Sequence, residues 1–332
     1  MVFVWHFTHA TAGYPTPFEG APLLAILDEG HTGVSLFMAL SGYLFAKLLD
    51  GRSIKYIPFF WNRFLRLAPL LVVSVALSGF QLYLAGLLDP WEYARKSALG
   101  LVTTRLPNGA WSVVVEGHFY VLLPFLLYAT RRWKPAPLAF LLIAIALRTG
   151  LYGLGADIQP ISYKLIVGRI DQFLLGIAAF NYRHLIGGKT ALAAGSALMI
   201  GYWLFDWAGG LTHLPEKLDW LWIILPTFDA VTYCLLIAWY DNRGPVGGRL
   251  AWAAQKAGEY SYSIYLLHFF IVFIVADSIH RKIMDISNFY VALPWALLTF
   301  AGMTIIGHFS FKYIESPFLA FRRTYITKPA SM

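Results

Sequence analysis

Among the ionisable side chains that interrupt otherwise apolar stretches of this 332-residue chain are His6, His9, Glu116, His118, Arg169, Asp171, His268 and His308. An imidazole is well suited to take a proton from a hydroxyl near neutral pH. A carboxylate beside it fixes its tautomer and raises its basicity. His6 and Glu116 are the residues that could make such a pair. A buried structural ion pair would use the same two groups, and spacing alone leaves both readings open. Ser112, Glu116 and Tyr120 repeat every four residues, so in a helix they share one face. Val114, Val121 and Phe125 make the opposite face mostly apolar, although His118 falls there as well.

Other spacings point to other chemistry. Arg63 and Arg66 stand three apart beside Leu67 and Pro69. Two guanidiniums on one helical turn can grip a phosphate, or simply anchor a membrane helix end. Arg169 and Asp171 could order a polar pocket at the mouth of a span, or satisfy each other. Ser261, Tyr265 and His268 fall on one helix face and read as a hydrogen-bonded seam. His308, Lys312 and Glu315 read as a structural stripe. His6 and His9 lack further ligands at metal spacing, so no metal site is expected. The chain has no nucleophile elbow, Walker loop or dinucleotide fingerprint, and nothing in it suggests ATP hydrolysis.

The elements that position these groups are membrane helices. Hydrophobic residues make up 58% of the chain and charged ones 13%, against about 25% charged in a soluble domain. So much apolar surface needs lipid as its solvent. The 17% aromatic content suits membrane–water interfaces. The net charge of +8 sits in short clusters between apolar stretches rather than on one basic face, which excludes nucleic acid as a partner. The single cysteine, Cys234, rules out an internal disulfide framework. No cleavable signal peptide is evident.

The hydropathy pattern predicts an all-α, polytopic bundle of about ten spans. They cover residues 1–12, 31–49, 67–88, 110–130, 138–154, 169–185, 191–209, 220–240, 261–279 and 291–314. The first is short or truncated. Residues 47–66, 131–134, 183–189, 243–256 and 312–328 hold 17 of the 26 lysines and arginines, ending with Lys328. That bias places both termini in the cytoplasm, within the inner or plasma membrane. His6 and Glu116 then both lie ~9 Å from the outer ends of their spans, at 1.5 Å of rise per residue. Gly- or Pro-broken helices in symmetric halves, the mark of a transporter, are not evident.

Several segments in order resemble the membrane acyltransferase-3 family. Residues 2–7, ending Trp5-His6-Phe7, resemble the end of that family's first helix with its catalytic histidine. Residues 33–44 resemble the second-helix signature, with Ser35 where an aspartate is usual. Arg63-Phe64-Leu65-Arg66 resembles the arginine-rich entry to the third helix. Trp111-Ser112, Glu116, Phe119-Tyr120 and Pro124 match a further motif, as do residues 169–176, 260–268 and 315–318.

The resemblance implies a single integral membrane acyltransferase domain over residues 1–332, with no appended soluble domain. Acyl-CoA, taken as acetyl-CoA, is the implied donor, and no cofactor is permanently bound. The acceptor is a carbohydrate or lipid-linked glycan on the far side of the membrane. His6 is the implied base or acyl carrier, supported by Glu116. Arg63 and Arg66 bind the donor, while Ser112, Tyr120, Arg169 and Asp171 meet the acceptor or the oxyanion. The family's arginine eleven positions before the catalytic histidine would fall before Met1, so the start is expected to be placed late. A glycan or lipid transporter or flippase without acyl transfer is the alternative.

Overall fold

A computed structural model of the chain describes residues 1–10, 22–50, 52–133, 135–244 and 247–327. Thr11 and Ala12 of the first expected span, and Lys134 and Lys328 of the basic loops, lie outside the described residues. The helices run α1 Val2–Thr8, α2 Pro22–Asp28, α3 Gly33–Leu48, α4 Tyr56–Leu84, α5 Pro90–Thr103, α6 Trp111–Arg132, α7 Ala136–Gly153, α8 Ile158–Lys164 and α9 Ile166–Asn181. They continue with α10 Gly188–Trp207, α11 Gly210–His213, α12 Leu221–Asn242, α13 Arg249–Glu259, α14 Ser261–Leu267, α15 Val272–Lys282, α16 Phe289–Ser310 and α17 Ser316–Leu319. Among the described residues the sole sheet pairs β1, Ser53–Ile54, with β2, Ile326–Thr327.

Five helical segments are long and apolar enough to cross a membrane: α4, α6, α7, α12 and Phe289–Leu319. Two bent pairs raise the number to seven if each is one span. Pro22–Asp28 and Gly30–Leu48 meet at 70°, and Ser261–Phe270 and Val272–Lys282 at 51°. The hydropathy pattern does not reveal either break. The other three expected spans are helical too, as α1, α9 and α10, but do not reach this length and hydropathy. With 16 residues, α9 carries Arg169, Asp171 and Gln172.

The chain divides into two compact units. The first comprises Met1–Trp5, Pro15–Asp50 and Val115–Pro245. At its centre α9 crosses α3 at backbone contact. A Cβ on Gly42 would collide with the Phe173 carbonyl, and one on Gly176 with the Ala39 carbonyl. Small residues permit such close approach, which is how membrane helices associate where hydrophobic driving force is weak. Polar and apolar side chains of α9 are buried alike, as expected of a helix surrounded by protein.

The second unit comprises His6–Tyr14, Gly51–Val114 and Val246–Met332. Its core gathers Leu70, Leu106, Ala110, Val113, Val114 and Leu266. The 29-residue α4 begins well before the expected Leu67, and Arg63 and Arg66 lie within it, on one helical turn as expected. α5, absent from the sequence expectation, starts at an Asp89 cap that accepts from the Glu92 N–H at 2.8 Å, with Pro90 in the first turn. It docks on α4 through the Tyr93 hydroxyl, which donates to the Val75 carbonyl at 2.6 Å.

Candidate functional site

Within the second unit His6, on α1, meets the broken end of α14. Its Nδ1 lies 3.3 Å from Nε2 of His268, and its ring stacks edge-on against Phe269 at 4.5 Å. His268 opens the 3₁₀ turn His268–Phe270 at the bend, a feature that often marks a functional hinge. Its Nδ1 lies 2.5 Å from the Tyr265 carbonyl oxygen. A carbonyl only accepts, so the proton of neutral His268 resides on Nδ1, and Nε2 is left as an acceptor. His6 must then donate through Nδ1–H. In neutral His6 that assignment leaves the lone pair on Nε2, the form a general base requires.

Tyr265 ties Ser112 to the same chain of bonds. Its hydroxyl donates to the Gly109 carbonyl at 2.8 Å, and Ser112 Oγ donates to it at 2.6 Å. One tyrosine thus holds Ser112 by its side chain and His268 by its backbone. The helix seam expected at Ser261, Tyr265 and His268 is therefore joined to His6 itself. On α6, Glu116 is buried and accepts a hydrogen bond from Tyr120, one turn further on.

Arg66 pairs with Glu315, which is wholly buried and also accepts from Ser263. A π-helical turn, Phe311–Glu315, sends that carboxylate inward while Lys312 stays exposed. It breaks the stripe expected for His308, Lys312 and Glu315, because an i→i+5 turn shifts the face on which later residues lie. Arg63 lies over the Phe59 ring at 5.6 Å and donates to the Tyr325 hydroxyl at 3.5 Å.

In the first unit Arg169 and Asp171 do not pair with each other, because residues two apart on a helix point in different directions. Asp171 is held by Arg148 at 2.8 Å and by Thr227 at 2.6 Å. Arg169 donates to Ser35 Oγ at 2.7 Å and to the Tyr163 carbonyl at 2.8 Å. Ser35 in turn donates to Asp229 at 2.6 Å. The carboxylate expected at position 35 is thus supplied from α12, through a serine hydroxyl. Nothing in the spacing of Arg148 or Asp229 could signal these partnerships, which cross between helices. Among the described residues no group of three or more His, Cys, Asp or Glu could hold a metal ion.

A family model described as an acyltransferase domain matches residues 1–311. Nodulation protein 10 of Rhizobium leguminosarum is 30% identical, across 95% of this chain and 89% of that protein. The exopolysaccharide production protein ExoZ of Rhizobium meliloti is 26% identical, across 87% of this chain and 90% of that protein. The peptidoglycan O-acetyltransferase OatA of Listeria monocytogenes is 24% identical across 87% of this chain, which spans about half (51%) of that protein's length. No solved structure matches.

Proposed function

Because this chain belongs to the acyltransferase-3 family of membrane enzymes, we propose that it moves an acetyl group from acetyl-CoA to a hydroxyl of a cell-envelope carbohydrate, with His6 as the general base. Acyl transfer is the family's chemistry. The carbohydrate acceptor is inferred from relatives named for peptidoglycan O-acetylation and exopolysaccharide production. The observation that carries the mechanism is the hydrogen-bond chain from His6 through His268 to the Tyr265 carbonyl. It presents Nε2 of His6 unprotonated without needing a charge.

In this reading His6 Nε2 takes the acceptor's hydroxyl proton as its oxygen attacks the thioester carbonyl. The tetrahedral intermediate expels the CoA thiolate, breaking the C–S bond, and the imidazolium returns the proton to sulfur. Net, an ester forms, a thioester is lost and free CoA leaves. Glu116 is assigned a supporting role in the reaction from its place in the family's motif, and it accepts a hydrogen bond from Tyr120. The hydroxyl protons of Ser112 and Tyr120 are already donated, to Tyr265 and Glu116. Their oxygens are therefore assigned to accepting hydrogen bonds from acceptor hydroxyls rather than to donating to an oxyanion. Arg63 and Arg66 are assigned to the phosphates of CoA. Arg169 and Asp171, each saturated by protein partners, are assigned to fixing α9 rather than to direct contact with the acceptor.

The test is His6→Ala in membranes with labelled acetyl-CoA and isolated envelope glycan. Acetyl transfer is expected to vanish while membrane insertion and thermal stability persist. Full transfer in that variant refutes the assignment. Wild-type protein that moves glycan while leaving the thioester intact would instead be a transporter.

A further inference from the structure

The end of the described chain is strapped along the start of α4. β2 pairs antiparallel with β1, Ser53 opposite Thr327 and Ile54 opposite Ile326. The Lys55 N–H donates to the Tyr325 carbonyl at 2.8 Å. Asn62, buried on α4, closes a two-way clasp on Arg323, donating to its carbonyl at 2.7 Å and accepting from its N–H at 2.8 Å. Trp61 Nε1 donates to the Phe321 carbonyl at 3.1 Å, and Arg323 lies over the Trp61 ring at 5.7 Å.

The backbone bonds on both sides of Arg322 fix where that exposed residue stands. Partial burial, with the charges of Arg63 and Arg66 close by, pushes the Arg322 guanidinium below its usual pKa. The Asn62 clasp on Arg323 and the Arg63–Tyr325 hydrogen bond set the strap, and Arg322 with it, beside the turn of α4 that carries Arg63 and Arg66. The carboxylate paired among them is Glu315, held by Arg66. Like charges gathered this way repel, and their gathering is enforced by a strap whose own hydrogen bonds are backbone-directed. A gathering of planar, permanently charged donors matches the oxygens of a phosphate or pyrophosphate.

We propose that the strap is the second wall of a phosphate-binding site, in which Arg322 joins Arg63 to hold the phosphates of the acyl-CoA donor. The proposal rests on the acyl-CoA reading above and adds to it a residue far from the Arg63–Arg66 motif in sequence. Asn62 serves it as a positioning residue, since it holds Arg322's neighbour in place. An anionic lipid headgroup presents the same phosphate chemistry, so the experiment separates the two sources.

The experiment uses the full chain in nanodiscs of phosphatidylcholine, with equilibrium binding of radiolabelled acetyl-CoA. Arg322→Gln is expected to bind it about tenfold more weakly, the loss of one charge-assisted pair. Arg322→Lys, which keeps the charge but not the planar fork, is expected to recover part of that loss. Asn62→Ala is expected to weaken binding with Arg322 intact. Wild-type binding in Arg322→Gln, alongside weakened binding in Arg63→Gln, overturns the proposal and leaves the donor reading standing. No acetyl-CoA binding by the wild-type protein overturns both. If Arg322→Gln alters only the retention of phosphatidylglycerol in mixed nanodiscs, the site belongs to lipid and the proposal fails.

Discussion

Replacing His268 probes the proposed base, His6, without altering it. The imidazole is 1% exposed, and its Nε2 is the acceptor for the Nδ1–H of His6 at 3.3 Å. His268→Leu keeps the volume roughly and removes the acceptor. Half-buried His6 then loses a hydrogen bond from Nδ1–H that strengthens as its ring becomes charged, at about 1–3 kcal/mol, or its proton moves to Nε2 and blocks the lone pair. Either outcome raises the barrier by that order, which is ~5- to 150-fold in kcat. His268→Gln places a carbonyl oxygen near the former Nε2 position and restores an acceptor, so its loss is expected to stay within about tenfold. The assay is release of free CoA thiol coupled to acetylated glycan. A fall in kcat with unchanged KM for acetyl-CoA marks a positioning role, and size-exclusion and thermal profiles verify folding. A folded His268→Leu protein with wild-type kcat would refute the tautomer argument.

Further substitutions test the framework that carries this chemistry. Ser35→Asp sets a second carboxylate beside Asp229, 2.6 Å from the present hydroxyl, and is expected to cost on the order of 3 kcal/mol of stability, read as a lowered thermal midpoint in detergent. Adding Asp229→Asn returns the single carboxylate to position 35, and this double variant is expected to regain most of the loss; if the two changes simply add, the relay through Ser35 is wrong. Gly42→Ala drives a methyl into the Phe173 carbonyl and is expected to destabilise by about 1–3 kcal/mol, whereas Gly302→Ala on α16, with open space around it, serves as a near-neutral control. Equal midpoints for the two alanine variants would dismiss the α3–α9 backbone contact.

The sequence alone was enough for the solvent and the all-α class. An excess of apolar residues in runs of about 20 has no aqueous solution, and a helix is the structure that satisfies its own backbone in lipid. It was enough also for single-helix relations, since Ser112, Glu116 and Tyr120 follow from a fixed period, and Tyr120 does bond to Glu116. The order of the motifs identified the family, and the match over residues 1–311 bears that out.

What the tertiary structure decided were the partners across helices. Asp171 belongs with Arg148, Ser35 with Asp229, Arg66 with Glu315, and His6 with His268. Each pair joins residues 23 to 262 positions apart, from His268 and His6 at the far end to Arg148 and Asp171 at the near one. Hydropathy measures how a segment meets its solvent and carries no information about which buried group another will face. The bends escaped for the same reason: they sit at Glu29 and after His268–Phe270, where packing and local hydrogen bonds, not a proline, turn the chain.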